Sequence, residues 1–214
     1  MCIIITKNKN INLPDKETLQ NCYNRNSNGC GFAFTKNNKV YIQKGYFDFE
    51  TFYNDLIKNV SKENHAIIHF RITTHGGSTA PLTHPFCISK HFNFITTQKA
   101  ITKMAVAHNG ILSITSNAKK PHSDTTLFIK KYLSEIIKTP QDLKNKNKIA
   151  IINNLIGFNN KLAFITSDNI ITLGKGWIYE NGLYYSNSSY EPPITTYKTQ
   201  KMFFNFNNWW NNLK

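Results

Sequence analysis

The sequence predicts an α+β layered domain, and three observations carry that prediction. Short apolar runs rich in β-branched and aromatic residues open the chain at 2–6 and recur near its end at 161–166, 170–173 and 183–186. Two helical patterns, over 49–60 and 123–137, lie between them. No internal repeat and no linker composition breaks the chain, so 1–214 reads as a single domain whose tail from about 190 is the least defined part.

The elements follow in order. Cys2-Ile3-Ile4-Ile5 is a strand with a thiol at its start, and a polar loop covers 7–12. Pro14-Asp15 opens a short helix with Leu19 and Cys22 on one face. Asn26-Ser27-Asn28-Gly29 is turn chemistry, 31–34 is a strand, and Asn37-Asn38 turns the chain into a strand over 40–42. Phe49, Phe52, Tyr53, Leu56, Ile57 and Val60 recur at helical spacing. Residues 66–71 form an apolar strand ending on Arg71, followed by the polar loop Thr73-Thr74-His75-Gly76-Gly77-Ser78. Residues 79–92 are irregular, anchored by Leu82, Phe86 and Ile88; 104–108 is a strand ending at Asn109-Gly110. Ser123 caps a helix running to Ile137. Residues 144–148 read as a solvated loop, and 149–155 as either helix or strand. Strands at 161–166 and 170–173 flank Ser167-Asp168-Asn169, and a hairpin turns at Glu180-Asn181-Gly182.

Composition narrows the classes. Lysine and arginine number 26 against 12 acids, a net charge of +14. The lysines are scattered among asparagines (Lys7, Lys9, Lys16, Lys36, Lys39, Lys44 and onward), without an arginine-rich stripe. That pattern argues for solvation and sequence bias, with only weak, salt-labile contact to nucleic acid expected. The four cysteines, at 2, 22, 30 and 87, form no C-x-x-C pair, so no metal site is expected. No secretory leader and no apolar run of membrane-spanning length is read, which makes the cytoplasm the expected location.

Chemistry concentrates at element ends. Removal of Met1 would leave Cys2 with a free α-amine of pKa roughly 7.7–8 beside a thiol near 8.5. One residue would then hold both a nucleophile and its general base. Three loops join it: 71–77, 108–110 and 121–125. Singly, Arg71 suits a surface ion pair, His108-Asn109-Gly110 a turn, and Asp124 a helix N-terminal acid. Together, Phe70-Arg71-Ile72-Thr73-Thr74-His75-Gly76, His108-Asn109-Gly110 and Ser123-Asp124-Thr125, in that order behind an N-terminal Cys, resemble class II glutamine amidotransferases. These are glutaminase domains of the N-terminal-nucleophile hydrolase superfamily. The match spans roughly the first 190 residues, and 70–77 together with 177–187 is similar to stand-alone phage members.

The resemblance implies a four-layer αββα sandwich and attack of Cys2 on the glutamine side-chain amide. It implies a γ-glutamyl thioester and release of ammonia, without a cofactor. Asn109 and Gly110 would hold the oxyanion, Arg71 the substrate α-carboxylate and Asp124 its α-ammonium. Thr74, His75 and Gly76 would line the substrate, and both His75 and His108 would be structural. The chain departs from the family pattern at Ile3, Ile72 and Thr126, where Gly, Trp and Glu are frequent. His84 falls where a substrate-covering loop is expected, as packing or as contact. A fused synthase does not fit within the chain, so a separate ammonia-accepting synthase is the expected partner. The competing readings are a stand-alone amide hydrolase of the same fold and a catalytically silent basic binding protein.

Overall fold

The computed structural model describes residues 2–73, 78–115 and 122–192. Its first strand explains the rest of the layout. β1 (Ile3–Lys7) is buried at every position. Ile3 and Ile5 face one core and Ile4 faces another, the period-2 alternation of a strand covered on both sides.

The first half alternates strands and helices. Asp15 caps α1 (Lys16–Arg25) by accepting the Thr18 N–H at 2.7 Å. β2 (Cys30–Lys36) and β3 (Lys39–Tyr46) are joined by Asn37 and Asn38, both at positive φ (50° and 56°), the backbone a tight hairpin requires. Asp48 caps α2 (Phe49–Asn59), which buries Phe49, Phe52 and Leu56. β4 (Ala66–Phe70) follows, again buried throughout.

The second half builds another sheet and adds three strands to the first. Residues predicted as irregular hold a 3₁₀ turn at Ala80–Leu82 and the two-residue β5 (Phe86–Cys87). Then come α3 (Phe92–Thr96), β6 (Lys99–Thr102) and β7 (Met104–Asn109). The Ser123-capped helix forms as α4 (Asp124–Phe128), continues through a π-helical stretch over Ile129–Leu133 and ends with α5 (Ser134–Ile136). The predicted loop over 144–148 is corrected. Asn145 accepts the N–H groups of Asn147 and Lys148, capping α6 (Lys146–Ile156), which also settles 149–155 as helix. β8 (Lys161–Thr166), β9 (Ile170–Leu173), β10 (Ile178–Glu180) and β11 (Leu183–Tyr185) complete the described fold. The tail expectation falls on 193–214, outside the described residues.

Among the described residues, seven strands form one sheet in the order β10-β11-β1-β4-β2-β3-β6, and four form another, β5-β7-β8-β9. Every pairing is antiparallel, and the class is α+β. Three cores result. Leu19, Cys22, Phe52 and Leu56 of α1 and α2 pack on Ile3, Phe32 and Phe70 of the larger sheet. Phe128, Ile129, Leu133 and Ile152 pack on Val106 and Phe164 of the smaller. Ile4, Ala33, Ile42 and Ile67 meet Ala105, Ala107, Ala163 and Ile165 in the third, where small side chains let the two sheets approach closely.

Two of the lysines read as solvated are buried instead. Lys7 is fully buried, its Nζ donating to the carbonyls of Asn8, Lys62 and Asn64, and desolvation lowers its pKa to about 8. Lys44 donates to the Pro81 and Ile95 carbonyls and lies 3.9 Å from the centre of the Phe86 ring. Composition could not separate these two from their solvated neighbours.

Gly31 gives a direct stability prediction. A Cβ there would lie 2.5 Å from Lys44 Cβ, 2.7 Å from Lys44 Cα, and against the His84 carbonyl. Backbone on two sides cannot yield cheaply, so Gly31→Ala is expected to cost about 2 kcal/mol or more. Urea unfolding of the two proteins measures it, and an unchanged midpoint would show that β2 and β3 separate more easily than this packing implies.

Candidate active site

Antiparallel register assembles the site. Pairing of Ile3 with Phe70 sets Cys2, one residue before β1, beside the chain leaving β4 at Arg71 and Ile72. The Cys2 thiol rests on the Ile72 peptide: Sγ accepts the Ile72 N–H at 3.3 Å and lies 3.4 Å from the Ile72 carbonyl. Asn187 donates to the Cys2 carbonyl at 2.7 Å, tying down the residue that carries the thiol. Burial pushes the thiol pKa up; the Ile72 N–H and the Arg71 charge oppose it. Those two groups favour a thiolate over a thiol.

Arg71 is buried, with its backbone N–H donated to Gly29 O and its carbonyl accepting from Asn28. Burial lowers its pKa, while the charges of Cys2 and Asp124 pull it back up, placing all three within electrostatic reach. Asp124 begins α4, and both its oxygens are engaged. Oδ2 accepts the Leu112 N–H at 2.9 Å and Oδ1 the Thr125 N–H at 2.7 Å.

Behind Asp124 runs a chain of buried polar groups. Asn160 donates its amide to Ile156 O, so its Oδ1 faces His108 Nε2 at 2.8 Å as an acceptor. His108 therefore carries its proton on Nε2, and Nδ1 accepts from the Thr125 hydroxyl at 2.9 Å. With both ring nitrogens engaged, His108 holds Thr125 and the start of α4 in place. His69 Nε2 donates to the His108 carbonyl at 3.1 Å. His84 stacks on His69 at 4.2 Å between centroids and meets the edge of Phe86 at 4.4 Å. Neither His84 ring nitrogen has a partner among the described residues.

Cys2, Arg71, Ile72, His84, His108, Gly110, Ser123, Asp124 and Thr125 line one small cavity of about 30 Å³. That is room for a water-sized group beside the thiol. Gly110 takes φ 134°, and a Cβ there would collide with the Asn160 side chain, so the position excludes other residues. Asn109, the last residue of β7, is buried and donates its amide to Ser186 Oγ at 2.9 Å. Among the predicted site residues, Cys2, Arg71, Gly110 and Asp124 meet at this cavity. Asn109 adjoins it in the chain, and Thr74, His75 and Gly76 lie outside the described residues. Asn160, Ser186 and Asn187 were not predicted as site residues, because side-chain hydrogen bonds between distant segments leave no local pattern. Among the described residues no group of His, Cys, Asp or Glu is arranged to hold a metal, and no helix is long and apolar enough to cross a membrane.

No protein-family model matches this sequence, and no curated protein matches it significantly.

The buried histidines set a pH dependence. Desolvation lowers the pKa of His84 and His108, and takes His69 to about 3. Each stays neutral in the fold but takes a proton on unfolding below about 6.5, so stability falls as pH falls through that value. For His69 the loss continues to about pH 3, near 1.4 kcal/mol per pH unit. Urea unfolding at pH 6.5 and 5 should differ by about 2 kcal/mol from His69 alone. Equal stability at the two values would mean that the histidine cluster protonates in place.

Proposed function

We propose that this protein is a class II glutamine amidotransferase domain with the four-layer αββα architecture of N-terminal-nucleophile hydrolases. The observation that carries the reading is the convergence of Cys2, Arg71, Gly110 and Asp124 on one cavity from four separate stretches of chain. Two sheets packed face to face, with helices on the outer face of each, support the architecture.

The chemistry follows from the residue types. With Met1 removed, the Cys2 α-amine takes the thiol proton and Sγ attacks the glutamine Cδ. The oxygen gains the charge and is held by the Asn109 amide and the Gly110 N–H. The amine returns its proton to the leaving nitrogen, the C–N bond breaks, and ammonia departs from a γ-glutamyl thioester. Water then attacks the thioester, giving its proton to the same amine, and the C–S bond breaks to release glutamate. The Arg71 guanidinium clamps the substrate α-carboxylate as a planar fork, and the Asp124 carboxylate meets the α-ammonium. Ammonia would pass to a separate synthase. Steady-state glutamate release from glutamine tests the reaction. Release without consumption of ammonia in the presence of cell extract would favour a stand-alone hydrolase, and no release would remove the proposal.

A further inference from the structure

Ser186 is fully buried just past β11 and touches both halves of the proposed catalytic apparatus. Its N–H donates to Ile4 O at 2.9 Å, and its Oγ accepts the Ile4 N–H at 2.8 Å. The same Oγ receives the Asn109 amide at 2.9 Å. Lys161, which pairs with Asn109 in the β7–β8 register, donates from Nζ to the Ser186 carbonyl. Ser186 thus links the strand carrying Cys2 to the residue proposed to face the oxyanion.

This link leaves hydrogen-bonding groups unmet. Among the described residues, Oγ accepts two donors while its own proton has no acceptor, and Asn109 Oδ1 is buried without a partner. A half-turn of the Asn109 amide gives the Ser186 proton an acceptor and Oδ1 a donor, and leaves the NH₂ as the group without a protein partner. Ser186 O–H then donates to Oδ1, and the amide NH₂ occupies the position that lacked a partner. Two N–H donors are left unspent one residue before Gly110, which lines the cavity. Such donors are what a developing oxyanion needs.

Resting on the amidotransferase reading, we propose that Ser186 is a positioning residue that orients the Asn109 amide with its NH₂ free for the oxyanion. The Ile4 N–H fixes the hydroxyl oxygen, which leaves its proton a single direction. Lys161 holds the Ser186 backbone against the end of β8.

Two measurements test this. In the NMR spectrum of the wild-type protein, two protons donated to one oxygen would lie within about 4 Å of each other. The proposal predicts no strong cross-peak between the Ile4 amide proton and the Asn109 side-chain NH₂; a strong one overturns it. In kinetics, Ser186→Ala should lower kcat for glutamine roughly 10²-fold, the scale of one lost oxyanion donor. KM and the rate of Cys2 alkylation should stay within about twofold of wild type, and Ser186→Thr should recover most of kcat. An unchanged kcat, or a loss shared equally by Cys2 alkylation, would reduce Ser186 to a packing role. If the wild type releases no glutamate, the amidotransferase reading fails, and the cross-peak alone then decides the orientation of the amide.

Discussion

Cys2→Ala is expected to abolish glutamate release, by at least about 10⁴-fold, while leaving the fold intact. The loss is large because Cys2 supplies the nucleophile, and no other thiol can substitute. Cys22, Cys30 and Cys87 are buried, and desolvation raises the pKa of each. The fold should survive because Cys2 precedes β1, and its structural ties run through its carbonyl to Asn187 and through Sγ to the Ile72 peptide. Only the second is removed by alanine. Cys2→Ser should also fall far below wild type, since the weakly acidic hydroxyl is rarely ionised beside an amine. Circular dichroism and glutamate release on the same samples separate the outcomes. Full activity in Cys2→Ala would end the nucleophile assignment, and an unfolded variant would move Cys2 into the core.

The second large effect concerns binding. Arg71→Lys should raise KM for glutamine by about 10²-fold, because a point charge cannot match a carboxylate bidentately and Arg71 is buried. Asp124→Asn should raise KM by about tenfold. It should also cost about 1–2 kcal/mol of stability, since Asp124 accepts the Leu112 and Thr125 N–H groups through different oxygens and an amide offers only one. Saturation kinetics beside thermal melts distinguishes the two contributions. Wild-type KM in both variants would mean the substrate is not an α-amino acid held this way.

Much of this fold was legible because its strongest signals are local. The β-branched run after Cys2, the helical spacing from Phe49 to Val60, the Ser123 cap and the Asn-Gly turn each became the element they predict. The missed elements lack such signals. β6 sits at a sheet edge and alternates between exposed and half-buried positions, but Ile101 lies on the exposed side, so its apolar residues do not mark the inward face. α3 is only five residues long, too short for a periodic face. At the site, Cys2, Arg71, Gly110 and Asp124 were legible as motif residues lying at element ends. The orienting groups were not. Asn160 and Ser186 act through partners 52 and 77 residues away, a relation that exists only after the sheets have formed.

The central claim is that Cys2 is an N-terminal nucleophile in a glutamine site. Intact-mass spectrometry of the protein with and without a glutamine-analogue electrophile tests it most directly. The expected result is a chain lacking Met1 that gains a single adduct on Cys2, with excess glutamine slowing the labelling. Retained Met1 together with no adduct, or an adduct confined to Cys22, Cys30 or Cys87, would contradict it.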